Sequence, residues 1–378
     1  MIAHKINPRL IAAVSILVGT VIGAGILGIP YVVSQSGFLI GGIWILVLGG
    51  VMLLMNLYLG EIGLRTKKNH QLTGYAEKYL GKTGKRIMFA AAIFGFYAAL
   101  LAYLIGEGES FSSLFFGHVN YALYFGIGFW LVLTWFIYQG YDALKKGESI
   151  GVIVMLLLIV GIAIGFAPDV SMENLSYINY GNLFVPFGVI LFALLGFSAL
   201  PELEKILGKE KKLMKKAIIW GTLIPVVMYF VFALVVVGFL GIGINEIATL
   251  SLGKFFVVLG IFTMFTSFLA LSFALRDMLM WDYKIPKFKA WIVTAIVPLI
   301  LYLLIMFFKF ASFSMILSIG GTVSGGLMGI LILLMIKNAK KNGDEKPAYE
   351  IPYMLGLIVL FILLFVAGIV FDLWHFFV

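Results

Sequence analysis

Gly19-Thr20-Val21-Ile22-Gly23-Ala24-Gly25-Ile26-Leu27-Gly28-Ile29-Pro30 is the stretch that decides how this chain is read. The run is apolar enough to lie in a membrane, yet it gathers four glycines and a proline. Each glycine costs a helix about 1 kcal/mol relative to alanine, and proline about 3. A spanning segment of this kind is expected to kink or unwind. Unwound backbone cannot face lipid, so the break must face protein or a cavity. A second stretch carries the same signature: Phe192-Ala193-Leu194-Leu195-Gly196-Phe197-Ser198-Ala199-Leu200-Pro201. Gly25 to Pro30 and Gly196 to Pro201 share one spacing.

The composition places both stretches in a bilayer. The 378 residues are 62% hydrophobic and 12% charged, with mean hydropathy +1.09. That charge is about half the ~25% of a soluble domain, which excludes a soluble enzyme and a nucleic-acid-binding protein despite a net charge of +9. Cysteine is absent, and His4, His70, His118 and His375 lie far apart, so no metal-ligand cluster is visible. Apolar runs between charged or turn-rich breaks predict an all-α polytopic membrane protein. Its eleven spans fall at 9–35, 39–64, 86–108, 119–140, 148–167, 181–206, 217–241, 253–276, 288–308, 311–337 and 351–374.

With the N-terminus in the cytoplasm, all but Lys254 and Lys309 of the 27 Lys and Arg fall in cytoplasmic segments. This is the positive-inside rule in strong form, and it predicts a multi-pass cell-membrane protein with its C-terminus outside. Leu72, Tyr75, Ala76, Tyr79 and Leu80, at helical spacing within 69–84, predict an amphipathic helix along the cytoplasmic interface. The whole chain, 1–378, reads as one membrane domain.

The breaks fall in spans one and six, so the units 9–167 and 181–337 run in opposite directions, with 351–374 as an additional span. Interrupted helices at corresponding places in two inverted halves point to the binding site of a secondary transporter. Unwinding frees amide N–H groups that suit a carboxylate, and carbonyls that suit an ammonium or a metal cation. Two plainer readings compete. Gly23-x-Gly25-x-x-Gly28 matches a dinucleotide fingerprint but lacks the strand that must precede it. Gly19 and Gly23 also form a small-xxx-small pair suited to close helix packing.

The first-span run resembles the amino acid/auxin permeases and the bacterial aromatic amino acid permeases of the amino acid–polyamine–organocation superfamily. Tyr79-Leu80-Gly81, the segment Tyr97 through Glu109, Gly196-Phe197 with Pro201, Ser267-Phe268-Leu269 and Asp277 extend the resemblance over about 9–337. It implies the LeuT-type fold, two inverted five-helix repeats with one extra C-terminal span here, and symport of amino acids with sodium or protons. By position, Gly23, Ala24 and Gly25 would meet the substrate carboxylate. Carbonyls around Ala193, Leu194 and Leu195, with Gly196 in the break, would meet the amine. Tyr97 or Tyr103, together with Phe197, would line or gate the pocket.

The fold's sodium site would draw carbonyls from Gly19 and Ile22 and hydroxyls from Thr263, Thr266 and Ser267, which share one helix face. The competing reading is that these hydroxyls bond within their own helix. Glu107 and Glu109 are proton-coupling candidates if they lie at membrane depth, and merely solvated if they lie at the interface. Small residues at Ala24 and Ala193, beside Leu194, Leu195 and Phe197, favour a neutral aliphatic or aromatic substrate. No cofactor is expected beyond sodium as a coupling ion. The partners are the amino acid and the lipid bilayer, with no nucleic acid. The alternatives are a non-transporting amino acid sensor of the same fold and an uncoupled exchanger.

Overall fold

The computed structural model describes residues 7–68, 70–139 and 142–377, with side chains described outside 142–151, 154, 158 and 377. Lys5, Asn69 and Gly140, which figure in the expected topology, lie outside the described residues. Among those described there is no strand. The first half comprises α1 (Pro8–Val21), α2 (Ala24–Ser36), α3 (Phe38–Leu64), α4 (Leu72–Phe116), α5 (Ala122–Gln139), α6 (Asp142–Phe166) and the short α7 (Met172–Ser176). It continues with α8 (Val185–Ala193), α9 (Leu200–Leu207), α10 (Met214–Leu240), α11 (Ala248–Leu252) and α12 (Lys254–Trp281). The last part holds α13 (Lys287–Phe308), α14 (Phe313–Ile319), α15 (Gly326–Asn342) and α16 (Leu355–Phe377).

Among the described residues, nine helices are long and apolar enough to cross a membrane, or ten when α1 and α2, bent by 52°, count as one span. The fifth expected span falls on α6, whose apolar run from Met155 is shorter than the others. Length and composition therefore do not establish the expected eleven. Local chemistry explains the boundaries. Asn7 caps α1 by accepting from the Arg9 amide, and Pro8 takes the first turn, where a missing N–H loses nothing. The interfacial helix and the third span form one element, α4, interrupted at Gly81, whose φ of +73° only glycine adopts freely.

Lipid is as apolar as a leucine side chain, so packing and polar contacts hold the bundle together rather than the hydrophobic effect. The broken pairs α1–α2 and α8–α9 lie at the centre, packed against α3, α10 and α12, with α4 and the α14–α15 pair closing the ring. At the end of the bundle that carries Asn7 and most of the Lys and Arg, a charged network ties the chain's beginning to its end. Glu61, fully buried, accepts from Arg65 Nε (2.9 Å) and Lys340 Nζ (2.7 Å) through one oxygen, and from the Ile351 amide (2.7 Å) through the other. Arg65 also pairs with Glu350 at 2.8 Å. The Tyr349 hydroxyl donates to Leu57 O and that of Tyr58 to Pro352 O. The segment joining α15 to α16 is thereby strapped beneath α3.

The same end holds the part of α4 before Gly81. The Thr73 hydroxyl donates to Asp282, and Tyr75 donates to Glu204 Oε2 at 3.2 Å. Burial pushes the Asp282 carboxyl above the usual carboxylate range, while the Thr73 hydrogen bond pulls it back.

Candidate functional site

Glycines, not prolines, make the breaks. In the first, Ile22 N–H reaches Val18 O (2.8 Å), then Gly23 N–H turns to Val21 O (3.1 Å) and the backbone leaves the helix. Pro30 lies inside α2, beyond the break. In the second, Leu195 N–H closes on Phe192 O (3.1 Å), a single 3₁₀ turn covers Phe197–Ala199, and α9 begins at Leu200. Pro201 occupies the first turn of α9, a position proline favours. The shared Gly–Pro spacing thus marks both breaks without locating them.

The two breaks touch. A side chain added at Gly25 would meet both Cα and Cβ of Ala193 at 2.5 Å. Behind the contact stands Tyr229 of α10, fully buried, whose hydroxyl lies 2.7 Å from Val21 O and 2.9 Å from Ala193 O. The phenolic proton thus lies between one carbonyl of each break, that of Val21, which also accepts from Gly23 N–H, and that of Ala193. Tyr229→Phe should strip the Ala193 carbonyl of its donor and leave Val21 O with Gly23 N–H alone. A buried acceptor left unsatisfied costs about 1–3 kcal/mol, so the variant should unfold in detergent at a clearly lower temperature. An unchanged midpoint would show that the hydroxyl does not hold the breaks.

A cavity opens beside the contact. Among the expected residues, Gly23, Gly25, Tyr103, Ala193, Leu195 and Phe197 line it. A side chain at Gly23 would meet the Tyr103 hydroxyl at 2.6 Å and Ser267 Oγ at 3.1 Å. Ala24 and Leu194 are fully buried and do not line it; Gly196 faces Leu17 and Val21. Tyr97 also points elsewhere, donating to Val293 O of α13 at 3.1 Å. The sequence reading missed Thr20, Gly95, Phe96, Ser198 and Ser324, all of which line the cavity. Thr20 directly follows Gly19 and Ser198 stands two residues after Gly196, a signal available in the sequence. None of the described lining side chains carries a formal charge.

A second cavity shares Thr20, Ser198 and Leu271 with the first and adds Glu202 and Asp277 towards the basic end. Glu202 stands in the first turn of α9, where a negative charge suits the helix dipole. Asp277 pairs with Arg276 at 3.1 Å.

The cation candidates divide. Thr263 Oγ1 donates to Gly260 O (2.8 Å), and Thr266 Oγ1 lies 3.2 Å and 3.1 Å from Phe262 O and Thr263 O, so both hydroxyls turn back on their own helix. Ser267 Oγ is buried beside the Tyr103 hydroxyl, next to the first break. Gly19 sits within α1 and Ile22 at its end. Glu107 is fully buried, and neither of its oxygens has a partner among the described residues. The residues on either side of it are tightly packed. A side chain at Gly106 would meet Met264 and Phe313, and one at Gly108 would meet Ala122 O and Tyr302. Glu109 is half-buried.

This architecture is similar to the solved structure of MhsT in complex with L-phenylalanine, with a TM-score of 0.68 over 99% of each chain at 15% identity. The fold is the LeuT type, and the protein is a multi-pass membrane transporter rather than an enzyme. Residues 6–375 match the tryptophan/tyrosine permease family, and the chain belongs to that family. Glutamine transporter 2 of Aliivibrio fischeri is 26% identical over 78% of this chain and 81% of its own length. Tyrosine-specific transport system 1 of Haemophilus influenzae is 27% identical over 60% of this chain and 57% of its own. The tryptophan-specific transport protein of Shigella flexneri is 25% identical over 61% and 58%. The chain thus spans a little more than half of the last two.

Proposed function

We propose that this protein is a secondary active transporter of neutral amino acids, aromatic ones foremost, working by alternating access with proton coupling. The observation that carries the reading is the contact of two glycine-made breaks beside a cavity lined without charge. A zwitterion needs such a place. Backbone N–H groups in the first turn of α2, at Gly25 beside the cavity, receive the carboxylate. Tyr229 already engages the Ala193 carbonyl, so the amine turns to the carbonyl of Leu195, which lines the cavity. Phe96, Tyr103 and Phe197 suit an apolar or aromatic side chain. The names of the relatives, transporters for glutamine, tyrosine and tryptophan, support the same class.

In this reading 9–167 and 181–337 are inverted halves in the cell membrane, with the basic end in the cytoplasm and the C-terminus outside. The second cavity, with Glu202 and Asp277, is then the cytoplasmic exit. The unpartnered carboxyl of Glu107 favours the proton as coupling ion. Sodium at Gly19, Ile22, Thr263, Thr266 and Ser267 is the second reading, supported by the Ser267 hydroxyl standing next to the first break.

Uptake of labelled tryptophan, tyrosine, phenylalanine and glutamine into proteoliposomes tests this, with a proton gradient in one arm and a sodium gradient in the other. Proton-driven accumulation is the expected result. Sodium-driven accumulation would move coupling to the eighth span. Exchange without accumulation would mean an uncoupled exchanger, and saturable binding without flux would mean a sensor.

A further inference from the structure

The cavity has a polar feature that neither break supplies. α14 and α15 are joined by a π-helical turn, Gly320–Gly325. Such a turn holds one residue more than an α-helical turn and re-aims every side chain after it, which is why these turns gather at functional positions. Ser324 lies within it, fully buried, lining the cavity where Gly95 of α4 leaves room for its hydroxyl. Ser324 Oγ has no hydrogen-bond partner among the described residues, not even the carbonyl one turn back that usually takes a helical serine. It is an unsatisfied hydroxyl, packed against Gly95, on a residue of the cavity wall.

The same turn is held from outside by the last helix. Asp372 of α16, 1% exposed, accepts from Ser318 Oγ (2.7 Å) and Thr322 Oγ1 (2.9 Å). Gly188 of α8 clears the way, since a side chain there would meet Asp372 Oδ2 at 2.6 Å. A carboxylate buried within a span is costly and marks a position with a task.

The distance from the breaks gives the hydroxyl its role. Gly95, against Ser324, precedes Tyr103, against Gly23, by eight residues, about 12 Å along an α-helix. A ligand anchored by its carboxylate at Gly23 therefore reaches Ser324 only with the far end of a long side chain. We propose that Ser324 hydrogen-bonds a polar group at the tip of the substrate's side chain, a phenolic hydroxyl or an indole N–H, and that Asp372 is the positioning residue that fixes the turn presenting it. This rests on the amino acid transport reading and narrows its substrates to those with a polar tip.

The test is calorimetric titration of the purified full chain in detergent with L-tyrosine and, separately, L-phenylalanine, which differ by that one hydroxyl. The unaltered protein should bind tyrosine more tightly. In Ser324→Ala, the tyrosine-to-phenylalanine affinity ratio should fall by about tenfold, the loss of one buried hydrogen bond. Asp372→Asn should lower the ratio in the same direction, and the double variant should fall no further than Ser324→Ala alone, because both act through one contact. An unchanged ratio in Ser324→Ala, or equal losses for both ligands, would overturn the hydroxyl's role. Additive losses in the double variant would overturn that of Asp372. If the unaltered protein binds neither amino acid, the transport reading itself falls and takes this inference with it.

Discussion

Gly25→Val abolishes amino acid binding in a chain that still inserts and folds: that is the expected result, and it is the most severe single change the site offers. A β-carbon at this position lies 2.5 Å from Cα and Cβ of Ala193. Backbone cannot rotate out of the way as a side-chain tip can. Overpacking a tight core costs about 1–3 kcal/mol in ordinary positions. Here the strain falls between two half-helices whose relative placement defines the pocket. The breaks must part, the shared hydrogen bonds of Tyr229 stretch, and the amide and carbonyl groups meant for one zwitterion no longer converge. Even Gly25→Ala places that carbon, so it should weaken binding too, and valine should remove it altogether. Saturation binding of a labelled aromatic amino acid, with monodispersity in detergent as the folding control, decides the matter. Normal affinity in Gly25→Val would remove the breaks from the binding site.

Glu107→Gln should uncouple transport from the proton gradient. The side chain is fully buried with neither oxygen partnered among the described residues. An unpaired charge there would cost several kcal/mol in desolvation, whereas a bound proton removes it. A residue that must be neutral to be buried and charged when exposed to water can link a proton to a conformational cycle. Glutamine imitates the neutral form permanently. The variant should lose accumulation driven by an imposed proton gradient, while exchange of internal for external amino acid persists. The pH dependence of uptake should flatten along with it. Proton-driven accumulation in Glu107→Gln equal to that of the unaltered protein would exclude this residue from coupling.

The parts of the site readable in sequence are those where a residue type is anomalous for its surroundings. Glycine in an apolar span is such an anomaly, and Gly23 and Gly25 stand at the first break and in the cavity wall. Pro30 was a weaker guide, because a proline perturbs the turn it occupies and that turn lies beyond the break. Tyr97 and Tyr103 show what spacing leaves undecided. Six residues apart, they lie roughly 240° around the helix, so they do not share a face, and sequence does not say which one looks inward. Tyr103 does, and Tyr97 faces α13.

Thr263, Thr266 and Ser267 do share a face, yet spacing says nothing of where a hydroxyl proton goes, and two of the three turn back on their helix. Tyr229 was invisible for a different reason. A tyrosine in a long apolar helix looks the same whether it meets lipid headgroups or the carbonyls of two helix breaks. Ser324 hid among the glycines of its own turn. Asp372 did leave a trace, as the one acidic residue in the last apolar segment. The mean fold is a matter of periodicity and apolar length, which sequence carries directly. The site depends on which of several equivalent faces turns inward, which only packing decides.

The strap beneath α3 bears on how the protein comes to exist. Glu61 enters the membrane early in synthesis, but its partner Lys340 lies 279 residues downstream. At about 5–20 residues per second the ribosome delivers that lysine roughly 15 to 55 seconds later. Until then the nascent second helix carries its carboxylate with Arg65, one turn along, as an interim companion. The amide of Ile351, which takes the other oxygen, arrives later still. The segment after α15 therefore completes a contact left open by α3, and a chain cut short before Lys340 leaves the Glu61 carboxylate without two of its three donors.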